Sequence, residues 1–220
     1  NMHLYTPWWL DNKNLDFPRG YHIEVWGGLG APAYGFGFNY NSLNKYFGIE
    51  IGGYGDRVRE EVKKYYGSTI GFSTRGEAVP SKNNYCEIDP EKKDKYGIPV
   101  LRFNYKWSDY ERKQAKHMNE TVKKIVHNIG GHMLWENKGP EHGLLTPGEV
   151  IHEVGTTRMG NDPNTSVVNK YEQLHDSKNV FIVDGGPFVS QADKNPTWTI
   201  MALSWRTSEY IVDQLKKQNI

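Results

Sequence analysis

The sequence predicts an α+β fold: an antiparallel-sheet domain with flanking helices over residues 1–147, then a segment, 148–220, that returns into a different domain. Three observations predict it. Runs that alternate apolar and polar residues cluster before Tyr105, the mark of half-buried strands. Turn-forming residues, not crossover helices, separate those runs, so the strands pair antiparallel. One long amphipathic helix then begins near Ser108, and strands grouped ahead of helices form the α+β pattern.

Residues 1–50 are rich in glycine and aromatic rings and hold one strand, Tyr21–Gly27. Gly55–Gly67 reads as a short helix with Val58, Val62 and Tyr65 or Tyr66 on one side. Ser68–Glu77, Asn83–Asp89 and Ile98–Tyr105 are the next strands, with the charged run DPEKKDKYG as the turn between the last two. Ser108 is a natural helix N-cap, Glu111 stands at the capping-box position, and Asp109 adds favourable negative charge to the first turn. Met118, Val122, Ile125, Val126 and Ile129 form that helix's apolar stripe, and Gly130-Gly131 ends it. His132–Glu136 is an expected strand and 137–149 a loop. Beyond it, Val180–Val183 reads as a buried strand ending in Asp184-Gly185. Pro196 then opens a helix to about Lys217 that buries Ile200, Leu203, Ile211 and Leu215.

Composition narrows the function. The 220 residues suffice for a real core. The 27 basic and 26 acidic side chains nearly cancel, so charge gives no case for nucleic acid or an anionic membrane as partner. No apolar run reaches the length of a membrane span. A single cysteine, Cys86, excludes an internal disulfide and says nothing further of compartment, which is left open between cytoplasm and periplasm. The 14 Tyr and 7 Trp are unusually many and gather within residues 5–50. Rings with polar tips stack on sugar faces or line an ordinary interface.

Two motifs fail on inspection. Gly28-Leu29-Gly30-Ala31-Pro32-Ala33 follows a strand and precedes Glu50 by a dinucleotide-site interval. The residues after it contain Gly and Asn at helix-breaking positions, so no helix N-terminus awaits a pyrophosphate. It reads as a loop. His152-Glu153 begins a zinc-protease pattern, but Thr156 stands where the second imidazole belongs, and no metal site is expected.

The C-terminal residues make joint chemical sense. Oxidising an alcohol removes a hydroxyl proton and a hydride from one carbon. Neutral histidine suits the first task near physiological pH, and an amide can hold the hydroxyl in place at any pH. His152 opens HEVGTTRMG, NVFIVDGG ends at Gly186, and Asn195 opens NPTWTIMALSWRTSEYI. Taken alone, Asn195 is either a helix cap or the orienting amide, and Asp184 either accepts from a ligand hydroxyl or closes a turn.

In this order the three runs resemble the C-terminal signature of the glucose–methanol–choline (GMC) oxidoreductases, flavoenzymes that oxidise alcohols with FAD. The stretch from Arg75 to Arg112, with its D-x-x-G-I-P turn at Asp94–Pro99, is similar to that family's substrate domain. The likeness covers about residues 70–220 and is closest to the sugar-oxidising branch, with pyranose 2-oxidase and sugar or gluconate dehydrogenases. Residues 1–65 match nothing in the motifs.

The resemblance implies a sugar or polyol as substrate, His152 and Asn195 as the catalytic pair, and Asp184, Gly185, Pro196 and Thr197 beside FAD. It implies that 1–147 is a partial substrate-binding domain and 148–220 the closing segment of an FAD-binding domain. The Rossmann core and most of the cofactor site would lie in N-terminal sequence outside this chain, and the fragment alone would be inactive. The electron acceptor stays open. The rival expectations are a non-catalytic carbohydrate-binding module and a degenerate family member.

Overall fold

The computed structural model describes the backbone of residues 2–4 and, beyond them, residues 15–27, 55–56, 59–60, 63, 70–133, 136, 139 and 141–220. The fold is α+β, with two antiparallel sheets and two long helices among the described residues. The chain forms two compact units, Asn1–Gly76 with Arg112–Leu144, and Glu77–Glu111 with Leu145–Ile220. The second unit thus joins Leu145–Ile220 with the earlier segment Glu77–Glu111.

The first unit holds a sheet of β1 (Met2–Leu4), β2 (Tyr21–Gly27) and β3 (Ile70–Gly76) in the order β1-β2-β3. Tyr21 pairs with Gly76 and Val25 with Phe72. Alternation along β2 sends Tyr21 and Ile23 into a core with Phe17 and Met118. His22 and Glu24 take the other face, where Glu24 lies 3.1 Å from Arg75 and 3.4 Å from His22. Helix α1 (Asp109–Asn128) supplies Met118, Val122, Ile125 and Val126 to this unit, while Ile129 lies just past its end and is exposed. Gly76 permits its close approach: a Cβ there would stand 2.5 Å from the Met118 methyl and collide with Gln114. The Tyr21 hydroxyl is 2.8 Å from His117 Nδ1 and 2.9 Å from Thr121 Oγ1, so the buried phenol is satisfied.

The ends of α1 follow the local code. Glu111 accepts from the Ser108 backbone N–H at 2.8 Å and from the Ser108 hydroxyl. At the other end Gly130 has φ 71°, and the Gly131 N–H donates to Val126 O at 2.9 Å, a Schellman closure. Of the expected earlier helix, Asp56, Arg59, Glu60 and Lys63 are helical; Val58, Val62, Tyr65 and Tyr66 lie outside the described residues. So do residues 28–50 with their glycine motif and Glu50, and most of the aromatic cluster. His132, Met133 and Glu136 are not in a strand.

In the second unit β4 (Tyr85–Lys93) pairs antiparallel with β5 (Pro99–Asn104) as a separate hairpin. The strand runs further than its sequence suggests. The Asp89 carboxylate accepts the Glu91 and Lys92 backbone N–H groups at 2.9 and 2.8 Å, which bulges the chain instead of turning it. The turn is shorter and closes on Asp94, which accepts from Tyr96 and Ile98.

Helix α2 (Thr197–Lys216) anchors on Thr207, fully buried, whose hydroxyl lies 2.7 Å from Glu172 Oε2. Ile200, Leu203 and Ile211 are half-buried as expected. Leu215, expected inside, is 56% exposed, because it falls on another side of the helix. Val180–Val183 is not a buried strand: only Phe181 forms a bridge, to Gln173, and Val180 and Val183 are exposed.

Candidate active site

All six singled-out residues fall in the second unit. The segment after His152 runs alongside the one after Asp184. Backbone N–H groups of Gly155, Thr157 and Met159 donate to the carbonyls of Gly185, Gly186 and Pro187 at 3.1, 3.1 and 2.9 Å. Those regular contacts hold two stretches that the sequence separates by about thirty residues. Gly155 has φ 89° and His152 φ 78°, a left-handed backbone that a histidine adopts only where its surroundings fix it.

Gly185 is the meeting point. A Cβ there would stand 3.1 Å from Val154 Cγ1, 3.5 Å from Glu153 O and 3.7 Å from Ile200 Cδ1. The residues following His152 and the opening of the helix that follows Asn195 therefore converge on one glycine. Ser204 ties the helix down again, its hydroxyl donating to Val183 O at 2.9 Å. Asp184 is exposed and closes its own turn, accepting the Gly186 N–H at 2.7 Å.

The entrance of α2 is open. Pro196, at φ −83° and buried, stands one residue before the helix rather than within its first turn, and no side chain caps that turn. Asn195 is exposed and not a helix cap. No acid occupies the first turn either, so its N–H groups and the positive end of the helix are left for something else. Beside this entrance lies a cavity of about 320 Å³ lined by Met159, Phe188, Gln191, Asn195, Pro196 and Leu203 among others. His152 does not line it, and Thr197 does not.

Sequence reasoning missed Tyr105 and Trp107. The Trp107 indole N–H donates to Leu145 O at 2.8 Å, on the loop leading to His152, and the Tyr105 ring meets Trp107 edge-on at 5.1 Å. Burial, then the charges of Glu111 and Glu153, push the Tyr105 phenol up to about 12, so it stays a hydroxyl donor near the His152 segment. The only hint was an aromatic pair continuing the alternation beyond β5. Among the described residues no group of three or more His, Cys, Asp or Glu is arranged to hold a metal ion, and no helix is long and apolar enough to cross a membrane.

The C-terminal sequence model of the family described as GMC oxidoreductase matches residues 80–204. The 2-methyl-1,2-propanediol dehydrogenase of Mycolicibacterium austroafricanum is 29% identical over 200 residues, 91% of this chain and 34% of that protein. The gluconate 2-dehydrogenase flavoprotein of Pantoea cypripedii is 31% identical over 166 residues, 74% of this chain and 27% of its own length. The fructose dehydrogenase large subunit of Gluconobacter japonicus is 29% identical over 184 residues, 82% and 32%. Pyranose 2-oxidases match as well. The relatives are thus those of the sugar-oxidising branch, and enzymes of this kind do not favour a non-catalytic binding module. An alignment of 200 residues also extends into the first 65, where no motif is legible. The chain spans between about a quarter and a third of the length of these three relatives.

Proposed function

This chain belongs to the GMC oxidoreductase family, and we propose that it is the C-terminal portion of an FAD-dependent enzyme oxidising a CH–OH group of a sugar or polyol. In this reading residues 1–147 contribute to the substrate-binding domain and 148–220 close the FAD-binding domain. The Rossmann core and most of the cofactor site belong to sequence outside this chain, so the chain alone is inactive.

His152 accepts the proton of the substrate hydroxyl, and the Asn195 amide holds that oxygen so that its C–H points one way. When bound, FAD supplies the hydride acceptor, at N5 of its ring. The uncapped entrance of α2, with no acid in its first turn, suits a group that gains negative charge. Pro196 and Thr197 stand at that entrance. Asp184 offers an exposed carboxylate to the cofactor, and Gly185 lies beside it, packed against Val154 and Ile200.

One observation carries the reading: Gly185 touches both the segment that follows His152 and the helix that follows Asn195. The names of the relatives support the substrate class, since they act on gluconate, fructose, a propanediol or a pyranose. The test is the visible spectrum of the flavin-loaded enzyme before and after anaerobic addition of a sugar and polyol panel. Bleaching of the flavin band by one member establishes the class and names the substrate. A flavin band that no member bleaches sinks the sugar reading.

A further inference from the structure

The chain bends at 193–194, just before Asn195. Across this bend the Gln191 side chain reaches forward, and its Nε2–H donates to the Lys194 carbonyl at 2.8 Å. That carbonyl shares a planar peptide group with the Asn195 nitrogen, so the bond sets the plane from which Asn195 starts. On the other side stands Pro196, buried and at φ −83°, whose carbonyl accepts the Ile200 N–H at 3.0 Å as the helix ladder opens. A residue that precedes proline is itself restricted in backbone. The Asn195 backbone is thus tied on both sides, while the residue stays exposed.

The orientation of the Gln191 amide follows from its chemistry. Only the nitrogen can face a carbonyl, because the oxygen there would set lone pair against lone pair. Its own Oε1 is buried and accepts from no donor among the described residues. An unmet buried acceptor is destabilising, and methionine would fill much the same volume without one. The glutamine is therefore explained by what its N–H holds and not by packing. Gln191, Lys194 and Asn195 also line the cavity of about 320 Å³ beside the entrance of α2.

We propose that Gln191 is a positioning residue for the oxidation: through the Lys194–Asn195 peptide it holds the Asn195 amide at the angle that orients the substrate hydroxyl. The inference rests on the role given to Asn195 above and deepens it by naming the side chain that sets that angle. Gln191 acts through Asn195 and has no contact with substrate to make.

The test compares Gln191→Met, Asn195→Ala and the double variant with the parent as flavin-loaded enzymes. The reductant is the member of the sugar and polyol panel that bleaches the flavin. Gln191→Met removes the donor and the orphaned oxygen together, so its Tm should match or exceed the parent's. Its limiting rate of flavin reduction should still fall about tenfold, since a small misplacement near the reacting atoms is enough. The half-saturating substrate concentration should stay within about twofold, the mark of a loss felt in the transition state. Added to Asn195→Ala, the exchange should slow reduction no further, because the two residues act as one unit. A readout without substrate is the NMR order parameter of the Asn195 backbone N–H, expected to drop from about 0.85 to below about 0.6 in Gln191→Met.

A parent-like rate in Gln191→Met, an unchanged order parameter, or a slowing that multiplies in full with that of Asn195→Ala would each overturn the proposal. So would a lowered Tm accompanying the lost rate, which would make Gln191 a residue of the fold alone. Parent-like reduction by Asn195→Ala would instead remove Asn195 from the mechanism, and the proposal would fall with that reading.

Discussion

His152 has a left-handed backbone, φ 78°, which for a non-glycine residue costs about 1 kcal/mol or more. The ladder from Gly155 to Gly185 holds the chain on its C-terminal side. If the imidazole is the base, His152→Ala slows flavin reduction by on the order of 10²–10⁴-fold, read by anaerobic stopped flow. A loss below tenfold with normal substrate binding rejects the role. Gly185→Ala separates geometry from chemistry: its Cβ meets Val154 at 3.1 Å, so destabilisation of about 1–2 kcal/mol is expected from overpacking. A Tm unchanged by that substitution would mean the three segments do not meet there. His152 and Asn195 were singled out in the sequence because proton removal and hydroxyl orientation require particular side chains. The convergence on Gly185 of Val154, after His152, and Ile200, after Asn195, was not legible there, since a through-space contact leaves no trace in local pattern. Tyr105 and Trp107 were missed for the same reason: they reach the His152 segment from a strand end some forty residues earlier.

The elements differ in how much of each was written locally. Helix α1 was legible at both ends, because Ser108, Glu111 and Gly130-Gly131 are residue choices with local geometric meaning. Glu111 does more than box the cap: its second oxygen accepts the Val79 N–H at 2.8 Å. Glu111→Ala therefore strands donors at both places and should cost about 1–2 kcal/mol, measured by urea unfolding. A change under about 0.5 kcal/mol, as at an ordinary surface site, would reduce the cap to ornament. Strand β4 outran its prediction because Asp89 spends its carboxylate on a bulge, and an Asp-Pro pair is otherwise a turn signal. Leu215 was expected inside because apolar residues all round a helix do not say which side has a partner. The inner side is marked instead by a polar pair. Thr207→Val removes the donor to fully buried Glu172, whose other oxygen already lacks a protein partner. The expected cost is about 1–3 kcal/mol, far more than an isosteric exchange at an exposed position.

At the scale of the whole molecule, the groups whose titration shifts on folding set how stability varies with pH. Burial, opposed in part by Glu120, lowers His117 below its ordinary 6.5 where it lies 2.8 Å from the Tyr21 hydroxyl. The unfolded chain therefore takes up this proton first, and the stability it represents is present above pH 6.5 and lost as pH falls from there. Burial raises Glu24, but bonds from Arg75 and His22 outweigh it and hold the carboxyl below 4.5, adding a second loss below that value. The alkaline side runs the other way. Burial raises Tyr21 above 10.0 despite its bond to Thr121, and raises Tyr105 to about 12. The unfolded chain releases these protons first, so stability falls as pH rises past 10. Thermal unfolding followed by circular dichroism should thus give a plateau between about pH 6.5 and 10, with an arm on either side. The His117→Gln variant keeps a polar partner for Tyr21 and cannot titrate, so the loss that sets in below pH 6.5 should flatten in it while the deeper acid arm remains. An arm of unchanged slope would assign the acid sensitivity to other groups and leave His117 a spectator of the core it helps to fill.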